Sequence, residues 1–175
     1  AKFQSMALQC LQKNPSFQQM SDKYHSDLKQ LGILYAVAGE YQKSDSCLAL
    51  CEDFLIKNTD NNAVAEHFSD RADNHKNMGH YSKAIEFYRK SNEYQKDPGR
   101  KLKNVHSIAL IQVRYGNGKD IVNTIDEAVG IIKNHYDYIQ EYDVYNIVLL
   151  SCSGDFNANK QQNELLTIIN KHDSN

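Results

Sequence analysis

The segment "EHFSDRADNH" at 66–75 brings together residue types that can bind a metal ion, namely His67, Asp70, Asp73 and His75. Residues three or four apart share one face of a helix, so a helix would place His67 beside Asp70, and Asp70 beside Asp73. Imidazole and carboxylate groups can hold a divalent cation. A polar helix that lines a groove explains the same pattern more simply, so the sequence predicts neither a metal ion nor another cofactor.

The cysteines offer a second set of candidate metal ligands. Cys47 and Cys51 are one helical turn apart and could supply two thiolates, but no second Cys/His pair at finger spacing supplies the other two ligands. Packing in the core explains this pair better. Since no CxxC pair occurs, we expect reduced thiols at all four positions: Cys10, Cys47, Cys51 and Cys152.

Motifs that mark common catalytic sites are missing from the sequence. It contains no HExxH, Walker loop, GxSxG or GxGxxG. The segment "DFNANKQQNE" at 155–164 resembles a calcium-binding loop, but Lys160 occupies the glycine position and Glu164 comes two residues early. We therefore predict a protein that is not an enzyme.

Composition and charge narrow the class of partner. The formal net charge of the 175 residues is −2, which gives no global attraction to nucleic acid. No apolar run reaches the roughly 18 residues that a membrane span requires. Reduced cysteines and a glycosylation sequon blocked at Pro15 favour a cytoplasmic location. Because residue 1 is Ala and not Met, we expect the chain to be a piece of a longer protein.

A recurring glycine divides the chain into four similar parts. The triplets GEY at 39–41, GHY at 79–81, GNG at 116–118 and GDF at 154–156 begin at intervals of 40, 37 and 38 residues. Residues with the apolar spacing of a helix precede and follow each triplet. Each part is therefore predicted to be helix, tight turn, helix, with glycine ending the first helix in a left-handed or otherwise restricted conformation. The predicted fold class is all-α.

Small and large side chains alternate in the second helix of the predicted hairpins. After Gly79, the small Ala84 lets two helices approach, Tyr88 fills the space one turn later, and Ser91 is small again. The corresponding positions of the first and third parts are Ser44, Leu48 and Cys51, and Ile121, Ile125 and Ala128. We expect these positions to lie at contacts between helices.

This pattern resembles the tetratricopeptide repeat family. The first repeat carries the family signature at Leu31, Gly32, Tyr35, Gly39, Tyr41, Leu48 and Cys51. The second repeat carries it at Phe68, Ala72, Gly79, Tyr81, Ala84 and Tyr88, with His75 where a tyrosine is usual. The third and fourth repeats match less closely. The repeats are placed at about 22–58, 63–96, 101–134 and 138–171 in a solenoid domain of residues 22–175, and residues 1–20 are interpreted as the second helix of a truncated preceding repeat.

The resemblance implies a right-handed α-α superhelix, in which the first helices of successive repeats line a concave groove. By alignment, the positions facing a ligand are Lys29, Gln30, Ile33 and Val37, then Ser69, Asp70, Asp73, Lys76 and Asn77, then Lys103, His106, Ser107, Leu110 and Arg114, and finally Glu141, Val144, Tyr145 and Val148.

One ligand known for the family is the acidic C-terminal tail of heat-shock chaperones, which is held by a dicarboxylate clamp. Lys29 and Lys103 match the two lysines of that clamp. Ile33, Asp70 and Ser107 stand where two asparagines and a basic residue are required, and the carboxylate of Asp70 would repel the tail. We therefore do not expect this ligand.

Tyrosines are concentrated at 134–146, where Tyr138, Tyr142 and Tyr145 fall on one helical stripe. Large and fairly rigid rings suit peptide recognition. Packing of at least two of these rings between the third and fourth repeats is the favoured interpretation.

The function that follows from the resemblance is a non-enzymatic scaffold that binds a protein or peptide in the groove, and a homodimer is compatible with it. The alternative is a peptide-sensing regulatory domain of a bacterial transcription regulator or signalling protein. We expect no direct contact with nucleic acid.

Overall fold

The computed structural model describes residues 15–116, 120–152 and 158–173. Within these ranges the chain forms eight α-helices and a short 3-10 helix, with no β-strand, so the predicted all-α class is confirmed. The α-helices are α1 (Pro15–Val37), α2 (Tyr41–Asn58), α3 (Asn61–Asn77), α4 (Tyr81–Tyr94), α5 (Pro98–Tyr115), α6 (Ile121–His135), α7 (Glu141–Cys152) and α8 (Asn159–Asp173). The 3-10 helix, Tyr136–Tyr138, precedes α7. None of the described helices is long and apolar enough to cross a membrane.

The chain divides into two compact units, Ala1–Asp60 and Asn61–Asn175, where the sequence predicts one domain over 22–175. In the first unit α1 packs against α2. In the second unit α3 packs against α4, α4 against α5, and α5 against α6. Helix α7 contacts α5, α6 and α8, and α8 also contacts α6. Helix α5 contributes to both buried apolar clusters of the second unit and is its central element.

Helix α1 passes through the boundary predicted near residue 20. It includes Pro15, and no glycine or proline occurs from 16 to 31 to interrupt it. Residues 15–20 therefore belong to α1 and are not the end of an earlier helix, which corrects that boundary. The rest of the predicted preceding helix, residues 1–14, lies outside the described residues.

The turns at Gly39 and Gly79 confirm the predicted role of glycine. Their φ angles are +78° and +77°, in the left-handed region. After Gly79, the His80 N–H donates to the carbonyl of His75 (2.8 Å), and the Gly79 N–H donates to the carbonyl of Lys76 (3.1 Å). The turn at Gly39 has the same two bonds, and this pair of bonds is the Schellman ending of a helix.

Gly116 plays a different role from Gly39 and Gly79. Its φ of −95° lies outside the left-handed region, so of the two predicted alternatives a restriction of another kind remains for this position. A Cβ here would lie 2.5 Å from the carbonyl oxygen of Gln112, so close approach of the backbone excludes a side chain. Gly118, Gly154 and Phe156, which the repeat pattern also used, lie outside the described residues.

The alternating small and large residues are buried as predicted. All nine positions are at most 2% exposed: Ser44, Leu48, Cys51, Ala84, Tyr88, Ser91, Ile121, Ile125 and Ala128. Burial of each large apolar side chain contributes about 1.5–3 kcal/mol to the free energy of unfolding. Leu31 differs from the signature pattern, since it is 40% exposed on α1.

Cys51 packs in the core, as the sequence predicts. Its side chain is fully buried, and its Sγ donates to the carbonyl of Leu48 (3.2 Å). Cys47 is half-buried and Cys152 is exposed, and neither forms a disulfide within the described part of the chain. Cys10 lies outside the described residues.

Replacing Gly79 with alanine should destabilise the chain by about 1–2 kcal/mol, because a Cβ is strained at a left-handed φ. The matched control is Gly130→Ala in α6, where an added Cβ meets no atom within 4 Å. Alanine should there stabilise the chain by up to about 1 kcal/mol through helix propensity. Urea unfolding measures both changes, and equal effects of the two substitutions would contradict the assigned turn.

Candidate functional site

Helix α3 places the candidate metal ligands on different sides. His67 and His75 are buried, whereas Asp70 is half-buried and Asp73 is exposed. Groove lining is therefore wrong for the two histidines, because the turn of the helix points them into the core and away from the aspartates. Among the described residues, no three His, Cys, Asp or Glu side chains are grouped to hold a metal ion.

A cavity of about 330 Å³ is lined by side chains of α3, α4 and α5, together with Gln95 from the link that follows α4. We call it the α3–α5 cavity. Its lining residues are Glu66, Ser69, Asp70, Asp73, Tyr88, Gln95, Arg100, Lys103, Asn104 and Ser107. Five of these are predicted groove positions: Ser69, Asp70, Asp73, Lys103 and Ser107. The structure thus brings residues of the second and third predicted repeats to one site.

A chain of hydrogen bonds beneath the cavity joins its three helices. The Ser69 hydroxyl donates to Asn104 Oδ1 (2.8 Å), and Asn104 Nδ2 donates to Ser91 Oγ (2.9 Å) and to Asn92 Oδ1 (2.8 Å). Ser91 Oγ in turn donates to the carbonyl of Ala65 (2.8 Å). The bonds run from α3 to α5, then to α4 and back to α3. Asn104 and Ser91 are buried, so these bonds fix the spacing of the cavity walls.

A second network lies where Asp73 meets Tyr88. The Tyr88 hydroxyl donates to Asp73 Oδ1 (2.5 Å), and Lys76 Nζ donates to the same oxygen (2.6 Å) and to the Tyr88 hydroxyl (3.0 Å). Burial and the bond to Asp73 raise the pKa of Tyr88 to about 12. Burial lowers the pKa of Lys76, but its bonds to Asp73 and Tyr88 outweigh this and raise it overall. Tyr88 is therefore a neutral donor at neutral pH.

The two main walls of the cavity carry opposite charge. Helix α3 contributes Glu66 and Asp70, and α5 contributes Arg100 and Lys103. Arg100 donates to Glu66, which raises the pKa of the guanidinium. Lys103 Nζ lies 3.8 Å from Asp143 Oδ2 of α7, and 58% of its side chain is exposed. The guanidinium of Arg100 remains accessible to a ligand because its ion pair with Glu66 is exposed and therefore weak, and the ammonium group of Lys103 remains accessible because most of its side chain is exposed.

Four other predicted groove residues of α3 and α5 are not among the residues that line this cavity. His106 is half-buried, and its pKa is lowered by burial and by the charge of Lys76, against an opposing effect of Asp143. Leu110 is half-buried, whereas Asn77 and Arg114 are exposed near the C-terminal ends of α3 and α5.

The predicted groove residues of the first unit lie on α1. Lys29 and Ile33 are half-buried there, and Gln30 and Val37 are exposed. They belong to a separate compact unit, so the α3–α5 cavity is described from the second unit alone.

The fourth set of predicted groove residues is divided between the core and the surface of α7. Val144 is 2% exposed and lies in the apolar core, which corrects its assignment to the groove. Val148 is half-buried, and Glu141 and Tyr145 are exposed.

The tyrosine segment also differs from its prediction. Tyr138, Tyr142 and Tyr145 are 78%, 72% and 52% exposed, so packing between repeats is wrong for all three. Ile139 and Gln140 interrupt the helix between the first two tyrosines. Ile139 is itself buried, which leaves the rings outside.

Several residues of the α3–α5 cavity are not among the site residues that the sequence predicts. Glu66 lies one turn before Asp70, and Arg100 lies one turn before Lys103, so helical spacing from the predicted positions identifies both. Asn104 and Gln95 have no such signal, because their roles depend on contacts between helices.

No protein-family model matches the chain, and no curated protein matches it. The geometry of the site therefore carries the functional argument.

Asn104→Ala should lower the free energy of unfolding by about 2 kcal/mol, because it removes the acceptor of the Ser69 hydroxyl and the donor to Ser91 and Asn92 from a buried network. Asn163→Ala, an exposed change within α8, should alter it by no more than about 0.5 kcal/mol. Urea unfolding of both variants gives the comparison. If Asn104→Ala changed the free energy of unfolding as little as Asn163→Ala does, the buried network would not be what holds the walls of the α3–α5 cavity together.

Stability should depend on pH through Tyr88. Its pKa is about 12 in the folded chain against 10.0 for an ordinary tyrosine, so its contribution is complete below pH 10 and is lost as the pH rises to about 12. The raised pKa of Lys76 acts in the same direction. Tyr88→Phe should make the decline in unfolding free energy over this interval shallower, whereas Tyr142→Phe, at an exposed ring, should not. An unchanged slope for Tyr88→Phe would rule out the assigned bond to Asp73.

Proposed function

We propose that this chain is a non-enzymatic, tetratricopeptide-like scaffold that binds a protein or peptide segment, and that the α3–α5 cavity is a part of its binding groove. The observation that supports this proposal most directly is that one cavity is lined by five side chains that the sequence assigns to a groove. Helical hairpins with left-handed glycines and a buried pattern of small and large residues support the repeat assignment. A superhelical arrangement of the hairpins is part of this proposal.

The chemistry of the walls suits binding better than catalysis. The ten lining residues include no histidine or cysteine. Asp73, a carboxylate that could act as a base, is already bound to Tyr88 and Lys76. What the walls offer a ligand is one acidic side, one basic side and the hydroxyl of Ser107. A peptide presents matching charges and backbone groups along its length.

Selection of peptides tests this function. A random peptide library displayed on phage is panned against the intact chain, and enriched peptides are measured by fluorescence anisotropy against Asp70→Asn/Lys103→Gln. This double variant removes one charge of each sign from the cavity and preserves side-chain size. We expect its affinity for the selected peptides to fall by about ten-fold or more, since contacts at the centre of a site dominate binding.

The matched control is Glu86→Gln/Lys90→Gln, which removes the ion pair between the exposed Glu86 and the half-buried Lys90 on α4 with the same change in charge. It should bind the selected peptides as the unchanged chain does. Equal losses in both double variants would indicate a non-specific charge effect. Peptides that bind the cavity variant at full strength, or no enrichment at all, would refute the α3–α5 cavity as the groove.

A further inference from the structure

Four large side chains form an exposed apolar stripe along α7 and the 3-10 helix before it. They are Tyr138, Tyr142, Tyr145 and Leu149, and they are 78%, 72%, 52% and 66% exposed. Tyr142, Tyr145 and Leu149 are spaced three and four residues apart, the alternation that keeps side chains on one seam of a helix. Tyr138 lies in the 3-10 helix that precedes α7. We call these four residues the α7 stripe.

The α7 stripe is not needed to fold its own unit. The opposite face of α7 carries Val144, Ile147 and Leu150, which are buried. Val144 and Ile147 lie in the apolar cluster that α7 shares with other helices of the second unit. Helix α7 is therefore apolar on two faces, and only one of them is covered. Large apolar side chains exposed together on one helix face are typical of an interaction site, and tyrosine supplies large rigid contact area with a hydroxyl at its edge.

The charge around the α7 stripe determines what can cover it. Glu141 is exposed directly beside Tyr142, and 81% of the Asp137 side chain is exposed next to Tyr138, where it lies 3.6 Å from His172. Electrostatic complementarity therefore favours a basic partner. A second α7 would bring like charges together, and an anionic membrane surface would be repelled.

We propose that the α7 stripe docks an amphipathic helix of another protein, whose apolar residues alternate at three- and four-residue spacing and whose flanking residues are basic. The apolar residues of that helix pack among the tyrosines and Leu149, and its basic residues lie beside Asp137 and Glu141. This surface uses none of the residues that line the α3–α5 cavity, so it stands or fails independently of the function proposed above.

Two synthetic probes test the proposal. Each is a labelled peptide of three heptads with leucine at the a and d positions; one carries lysine at e and g, and the other glutamate. Binding to the intact chain is measured by fluorescence anisotropy, with a reductant present because Cys152 is exposed. We expect the lysine peptide to bind at least about ten-fold more tightly than the glutamate peptide.

Variants of the chain assign the contact. Tyr142→Ser/Leu149→Ser should weaken the lysine peptide about ten-fold or more, and because both side chains are exposed, its circular dichroism and melting temperature should stay close to those of the unchanged chain. Leu50→Ser, at a 65% exposed leucine of α2, is the matched control and should change nothing. Glu141→Lys should reduce the ratio between the affinities for the lysine peptide and the glutamate peptide, because it removes a negative charge beside the α7 stripe. Asp70→Asn, a change in the cavity on α3, should bind both peptides normally, which separates this site from the cavity.

Three results would overturn the proposal. The first is equal binding of the two peptides, or binding of neither. The second is full binding by the double serine variant. The third is evidence that something else covers the α7 stripe. Such evidence would be a dimer in sedimentation that the double serine variant abolishes, or competition of anionic vesicles with the lysine peptide.

Discussion

The buried Asn104 amide holds the second unit's first three helices in the arrangement on which the candidate site depends. It accepts a hydrogen bond from α3 and donates two to α4, while its own backbone lies in α5. Apolar packing alone tolerates sliding of one helix along another, because hydrophobic contacts are not directional. A buried amide that must satisfy both of its ends fixes the register, since displacement by part of a turn would leave polar groups without partners.

That register is what creates two walls of opposite charge. With α3 and α5 held side by side, Glu66 meets Arg100, and Asp70 and Lys103 line the same cavity. Asp73 and Lys76 are drawn together at Tyr88, whose buried ring comes from α4. The apolar core and the polar site therefore share elements. Tyr88 packs among the buried apolar residues of α3, α4 and α5, while its hydroxyl contacts the cavity wall.

The parts of this architecture that follow from local rules could be predicted from the sequence. Gly39 and Gly79 were identified as helix ends, because a left-handed residue after a helix strongly favours glycine. The nine alternating positions were identified because helical spacing dictates which side chains share a face. The burial of the two histidines of α3 is not predicted in this way, because their polarity suggests a position on the surface although their side chains lie on the core side of the helix.

Helix α7 shows where such rules stop. Its sequence has one apolar set at Val144, Ile147 and Leu150 and another at Tyr142, Tyr145 and Leu149, so periodicity alone does not decide which face is buried. The structure buries the aliphatic set and exposes the aromatic one. Aliphatic side chains fill an interior without a polar atom to satisfy, whereas a buried tyrosine hydroxyl requires a partner such as Asp73 provides for Tyr88. Exposure of the tyrosines thus follows from the chemistry of the interior, and it leaves an apolar surface that a basic helix can cover.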